Sequence, residues 1–268
     1  MSKIKIVATD LDGTLLNNQL LLSDRNCIAL HQLKKKGIHV VLCSGRPFNG
    51  VKHLLTKIGL DGADYTISYN GSLIQTADGR EVLHYAKLSP YDFQKLNELF
   101  TKFGLGLHAM TMDRMYSYNQ EVHPLTIRES YLGKLPLTVL RTNIIVQKPI
   151  IKLMAVGDGQ RIDQAMAQLP KEFADRFSFN KSEDFYLEIM QKGDNKAKAL
   201  QILMERLGLS PEQLMAFGNN QNDLEMIRLA EVGVAVENAV PELKKVSNFL
   251  TESNDHDGVA LFLERYDI

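Results

Sequence analysis

The chain has no tryptophan and only two cysteines, Cys27 and Cys43, in 268 residues. Two cysteines without further thiols or histidines at ligand spacing exclude a zinc-finger or disulfide-stapled scaffold. Both lie in ordinary periodic segments, where reduced, buried thiols are expected. Net charge is also missing, with 31 Lys and Arg against 32 Asp and Glu. Neither a nucleic acid nor an anionic membrane surface is therefore an expected partner, and a small ligand is. No segment approaches the roughly 18 consecutive apolar residues of a membrane span. The opening MSKIKIVATD moves into a strand without a signal-peptide hydrophobic region, so the cytoplasm is the expected compartment. The pattern specifies no oligomeric state.

With 44% hydrophobic residues, the chain can fill one large core or divide it between two domains. IKIVATD (4–10) is short, apolar and β-branched. NCIALHQLKKKG (26–37) repeats apolar positions at helical spacing before a glycine, and IHVVLCSG (38–45) and ADYTISYNG (63–71) read as further strands. The alternation of strand and helix predicts a parallel sheet with crossover helices. It then stops. LHAM (107–110) and RMYSYN (114–119) flank a polar turn and read as a hairpin, followed by an irregular stretch from Gln120 to Pro136. IIKLMAVG (150–157), RIDQAMAQL (161–169), FSFN (177–180) and DFYLEIM (184–190) suggest an antiparallel sheet with helices. After Gly193 the first pattern returns, with a helix over 197–208, a strand LMAFG (214–218), a helix over 223–230 and a strand VGVAV (232–236). The predicted fold is α/β, a Rossmann-like parallel-sheet core formed by 1–85 and 191–268 with an inserted α+β cap domain over 86–190.

Three apolar strands end in small or metal-competent polar residues: DLDGT (10–14), Ser44-Gly45-Arg46, and GNNQND (218–223). Alternate side chains of an extended segment face the same way, so Asp10 and Asp12 can both reach a ligand beyond the strand end. Ligands of open parallel sheets bind at that edge. A single Asp-Gly would be read as a turn; three convergent strand ends suggest a site.

On these residues the chain resembles a haloacid dehalogenase superfamily phosphatase. D-x-D-x-T matches Asp10, Asp12 and Thr14, the phosphate-binding Ser or Thr matches Ser44, the lysine matches Lys196, and G-D-x-x-N-D matches 218–223 except at Asn219. The insertion resembles the type C2 cap of the Cof subfamily, and SYNG (68–71), YSYNQE (116–121) and FYLEI (185–189) are most similar to YidA-type sugar phosphatases. The resemblance implies a magnesium-dependent hydrolase of small phosphorylated metabolites, with sugar phosphates favoured. In it Asp10 attacks phosphorus as a carboxylate already ionised at neutral pH, and Asp12 serves as general acid and base. It further implies that Leu11, Ser44, Gly45, Lys196 and Asn222 hold the phosphate, and that Asp10, Asp12, Asn219 and Asp223 hold Mg2+. Arg46, Asn70, Gly71 and Glu188 are candidates for substrate contact, Glu188 from the cap. His108, Arg114, Tyr116, Tyr118, His123 and Arg128 are further polar or aromatic cap positions.

Asn219 offers a neutral carbonyl where the family has a carboxylate, which predicts weaker magnesium binding by about 1–3 kcal/mol. The alternative is a phosphate-ligand binding protein or an impaired phosphatase. A Rossmann dinucleotide enzyme is disfavoured because no G-x-G-x-x-G follows the first strand. A receiver-type regulator would need neither Asp12 nor a second domain.

Overall fold

A computed structural model describes residues 3–266 and 268. The chain divides into two compact units. The first runs through Arg46, resumes over Val51–His84 and returns at Asn195; the second comprises Pro47–Gly50 and Tyr85–Asp194.

The first unit is built on an eight-stranded sheet. Its strand order is Phe249–Thr251, Val232–Val236, Leu214–Gly218, Ile6–Thr9, His39–Cys43, Tyr65–Ser68, Leu73–Thr76 and Val82–Tyr85. The first six run parallel, and Leu73–Thr76 turns back antiparallel against Tyr65–Ser68. Ile6–Thr9 is buried at all four positions, as a central parallel strand covered on both faces must be. Thr9 is in register with Phe217 on one side and Leu42 on the other. The residues following these three strands therefore emerge side by side at one edge.

The helices carry clear boundary chemistry. Ser23 caps the helix Asp24–Lys35 by accepting from the Asn26 N–H at 3.1 Å. Asn195 caps Lys196–Leu207, and Gly208, at φ 67°, closes it. Ala199, Leu200, Leu203 and Met204 repeat on one face of this helix and pack with Ile6, Ala8 and Val41 in a common core. Lys34, in the last turn of Asp24–Lys35, binds Asp61 at 2.8 Å and Asp64 at 2.6 Å.

The second unit holds a six-stranded mixed sheet in the order Phe177–Glu183, Tyr186–Gln191, Lys152–Val156, Gly106–Met110, Met115–Ser117 and Leu137–Val139. Leu107, Ala109, Leu153, Ala155, Leu187 and Ile189 alternate onto one face. There they pack with Phe93, Leu96 and Phe100 of the helix Pro90–Lys102 and with Ile162 and Ala165 of Gly159–Ala167.

Two segments and one cysteine depart from the pattern read in the sequence. The stretch expected to be irregular contains the helix Pro124–Gly133, started by Pro124 and capped by His123. Its Ile127, Tyr131 and Leu132 are exposed, so it shows no apolar stripe. The strand expected over 63–71 ends at Ser68, and Tyr69–Gly71 forms a tight turn with positive φ at all three residues. Cys43 is buried, but Cys27 is only partly so. Among the described residues no helix is long and apolar enough to cross a membrane.

Asn26 is almost fully buried and joins two distant segments, donating to the Leu15 carbonyl at 3.1 Å and accepting from the Ala260 N–H at 2.9 Å. Asn26→Ala strands two buried backbone groups, and we expect it to cost about 2–4 kcal/mol in urea unfolding. A loss below about 0.5 kcal/mol would show that these bonds are replaced by water.

Candidate active site

The parallel register brings the ends of Ile6–Thr9, His39–Cys43 and Leu214–Gly218 together, and with them Asp10, Ser44 and Asn219. The Asp10 N–H still donates to the Phe217 carbonyl at 3.0 Å, so the backbone at Asp10 is fixed by the sheet. The chain then turns tightly about Leu11, whose carbonyl accepts from the N–H groups of Thr14, Leu15 and Leu16 at 3.2, 3.0 and 2.9 Å. The amide N–H groups of Leu11 and Gly45 donate no hydrogen bond among the described residues.

Lys196 is the centre of the site. It is wholly buried at the first turn of its helix, and its Nζ lies 2.5 Å from Asp10 Oδ1 and 2.7 Å from Asp223 Oδ1. Burial opposes its charge, but the two carboxylates outweigh that penalty and hold its pKa above the ordinary lysine value. Asp223 Oδ2 accepts from the Asn219 and Asn220 N–H groups at 2.9 and 3.1 Å, so both of its oxygens are engaged. Gly218 is required here, since a Cβ would lie 2.6 Å from Asp223 Cβ. Burial pushes Asp10 up to about 7, with the charges of Asp223 and Asp12 adding to the rise and Lys196 opposing it. This corrects the expectation of a carboxylate ionised without assistance: near pH 7 the folded chain holds Asp10 divided between its two forms.

Asp12 is half-exposed and gripped through both oxygens by Arg46, with Nε donating to Oδ2 at 2.8 Å and Nη2 to Oδ1. Arg46, expected as a substrate contact, is thus occupied by Asp12. Ser44 is buried, and its Oγ accepts from the Arg46 N–H at 3.0 Å. Asn222 donates to Asn70 Oδ1 at 3.0 Å, and the Asn70 N–H donates to the Ser44 carbonyl at 2.9 Å. Asn70 therefore ties Ser44 to the loop bearing Asn219. Gly71, at φ +107°, lets this turn approach the cap of the lysine helix: a Cβ there would lie 2.2 Å from the Asn195 carbonyl oxygen.

Asn219 accepts from the Thr14 hydroxyl at 3.1 Å. Two side-chain oxygens here could serve a metal: Asp10 Oδ2, which takes no hydrogen bond among the described residues, and the Asn219 amide oxygen. Such hard donors suit magnesium, which binds few protein ligands and keeps several waters. Among the described residues no group of three or more His, Cys, Asp or Glu side chains is arranged to hold a metal ion. Asp223 is engaged by Lys196, Asp12 by Arg46, and position 219 is an amide.

Glu188 belongs to the second unit, where its Oε1 lies 2.8 Å from Lys152 Nζ with both side chains nearly buried. His108, on the same sheet, lies 3.0 Å from Thr126 Oγ1, and burial together with Lys152 pushes it down to about 3, so it is neutral. Three of the other cap positions have local partners: Arg114 with Thr138, Tyr118 with the Ile144 carbonyl, and Arg128 with Tyr186. Reading the sequence missed Lys152, whose signal was a lysine inside an otherwise apolar strand. It also missed Asn238, which donates to the Gly13 carbonyl at 2.8 Å; no local pattern marks it.

An acid whose pKa is raised on folding stabilises most below its unfolded value, near 3.8, and loses that contribution as pH rises through about 7. In a chelator, Asp10→Asn is expected to gain melting temperature relative to the parent between pH 5 and 8. A difference that does not change with pH would contradict the buried, shifted Asp10. Lys196→Met leaves two buried carboxylates without their cation and should cost about 3–5 kcal/mol at neutral pH, measured by chemical denaturation. A cost under about 1 kcal/mol would refute the central role given to the lysine.

Residues 7–263 match the family described as haloacid dehalogenase-like hydrolase. A Streptococcus pyogenes protein bearing the name "Putative phosphatase" is 35% identical over 98% of this chain and 98% of its own length. A 5-amino-6-(5-phospho-D-ribitylamino)uracil phosphatase of Bacillus subtilis is 28% identical over 96% of this chain and 93% of its own. A solved haloacid dehalogenase-like hydrolase from Bacteroides thetaiotaomicron superposes with a TM-score of 0.89 at 30% identity, covering 98% of this chain and 99% of that one. With Asp10, Ser44, Lys196 and Asp223 gathered at one sheet edge, the chain belongs to the haloacid dehalogenase-like hydrolase family.

Proposed function

We propose that the chain is a magnesium-dependent phosphomonoester hydrolase acting on small phosphorylated metabolites, with sugar phosphates the favoured class, through an aspartyl-phosphate on Asp10. The observation that carries this reading is the state of Asp10: one oxygen is held by a fully buried Lys196, and the other, at a sheet edge, takes no hydrogen bond among the described residues. The name of the B. subtilis relative, a phosphatase of a phosphorylated sugar-alcohol derivative, is in keeping with a small phosphorylated substrate.

In the proposed reaction an Asp10 oxygen attacks phosphorus and the ester P–O bond breaks. Asp12, in its protonated form, gives its proton to the departing alkoxide oxygen. Asp12 then takes a proton from the water that attacks the aspartyl-phosphate, which releases inorganic phosphate and restores the Asp10 carboxylate. The Leu11 and Gly45 N–H groups, the Ser44 hydroxyl and Lys196 are the donors assigned to the transferring oxygens, with Asn222 bracing Asn70 behind them. Arg46 fixes the direction of the Asp12 carboxyl. A magnesium ion, held by Asp10, the Asp12 carbonyl and Asn219 with Asp223 behind them, would neutralise charge on the phosphoryl group and favour the ionised form of Asp10. Choice of substrate is assigned to the inserted unit over 86–190.

Phosphate release from an aryl phosphate and a panel of sugar phosphates, across a magnesium titration, tests the reading. The parent should turn over, Asp12→Asn should lower kcat by about 10²–10⁴-fold, and Asp10→Asn should abolish turnover. Asn219→Asp should lower the magnesium needed for half-activity by about tenfold, the equivalent of ~1.4 kcal/mol. Ligand-induced stabilisation of the parent without phosphate release would instead favour the binding-protein reading, which the neutral amide at 219 supports.

A further inference from the structure

Three consecutive residues with left-handed backbone, Tyr69 (φ 53°), Asn70 (φ 54°) and Gly71 (φ 107°), follow the strand Tyr65–Ser68. Gly71 is needed for the approach to Asn195, and asparagine tolerates this region. A fully buried tyrosine there is an outlier that the surrounding structure must hold in place. What the strained turn gains is a grip on residues 44–46. The Ser44 N–H donates to the Ile67 carbonyl at 2.9 Å, the Asn70 N–H to the Ser44 carbonyl at 2.9 Å, and the Tyr69 N–H to the Arg46 carbonyl at 3.2 Å. The Arg46 N–H is taken by Ser44 Oγ at 3.0 Å. Within 44–46, only the Gly45 N–H donates no hydrogen bond among the described residues.

The side chain of Asn70 lies directly against Gly45: a Cβ there would meet Asn70 Oδ1, Nδ2 and Cγ at 3.1, 3.2 and 3.4 Å. The same Oδ1 accepts from Nδ2 of the exposed Asn222 at 3.0 Å. We propose that Asn70 is a positioning residue, which fixes the Gly45 N–H and the Ser44 hydroxyl for the oxygens of a bound phosphate, and that Asn222 acts on that phosphate only through Asn70. A donor pocket works because its N–H groups are aimed before the ligand arrives, so a small misplacement of one of them is costly. The strain at Tyr69 is the counterpart of that aim. The inference rests on the phosphate-ester reading of this edge and makes Asn222 a support of the pocket, not one of its ligands.

The test is a double-mutant cycle on the full chain with Asn70→Gly, Asn222→Ala and both together, all in millimolar MgCl2. Inorganic phosphate is titrated with melting temperature as the readout, and kcat/KM is measured on an aryl phosphate. Glycine takes the left-handed backbone without strain and keeps the N–H to Ser44, so Asn70→Gly should melt within about 3 °C of the parent. It should nonetheless weaken phosphate binding about tenfold and lower kcat/KM about 10²-fold. Asn222→Ala removes the link without touching the turn and should shift both in the same direction. The double variant should be no worse than Asn70→Gly alone, because the two residues act through one contact. Losses that multiply in the double variant would show Asn222 meeting the phosphate itself and overturn the proposal. Parent-like phosphate affinity in Asn70→Gly, or its failure to fold, would also overturn it and leave the phosphate-ester reading standing. A parent that neither binds phosphate nor releases it from the ester would sink that reading, and this inference with it.

Discussion

The interaction on which the site depends is the burial of the Lys196 ammonium between Asp10 and Asp223. An isolated charge in such a place would be prohibitively costly, and a pair is stable only when geometry and hydrogen bonding satisfy its members. Much of the surrounding backbone follows from that requirement. The lysine must start its helix where its side chain reaches two strand ends, so Asn195 caps it there. The 219–223 loop must fold onto Asp223, so Asn219 and Asn220 give it their N–H groups, and Gly218 leaves room for the aspartate. The Tyr69–Gly71 turn must pass close to Asn195, and Gly71 allows it.

A second layer of asparagines holds the turn after Asp10. Asn238 grips the Gly13 carbonyl and accepts from the Asn254 N–H, and Asn254 in turn holds the Leu16 carbonyl. Asn26 supports Leu15 from another side. These neutral side chains satisfy backbone groups without adding charge near an already negative site. The same economy is visible at Asn219, which bonds like a carboxylate toward Thr14 but carries no charge.

How much was legible in the sequence varies with the physical origin of each element. The parallel strands were readable because continuous apolar runs such as Ile6–Thr9 are buried on both faces, and the lysine helix because Leu200, Leu203 and Met204 mark one side between Asn195 and Gly208. The helix Pro124–Gly133 was not readable, since its exposed Ile127, Tyr131 and Leu132 form no inward stripe. The resemblance named Asp10, Asp12, Ser44, Lys196 and Asp223 individually. What it could not supply was their pairing. That Arg46 grips Asp12, that Asn222 braces Asn70, and that burial lifts Asp10 to about 7 are consequences of three-dimensional proximity with no local sequence signature. Glu188 illustrates the limit of position alone: a glutamate near the end of the insertion is the buried partner of Lys152 within its own sheet.

The most direct test of the part assigned to Asp10 is to quench the full chain with acid during turnover of a radiolabelled phosphate ester and locate the label by peptide mapping. The prediction is a hydroxylamine-sensitive phosphoryl group on the peptide containing Asp10, accumulating when Asp12 is replaced by Asn and absent when Asp10 is. Phosphate release with no protein-bound label, or label on a different residue, would contradict it.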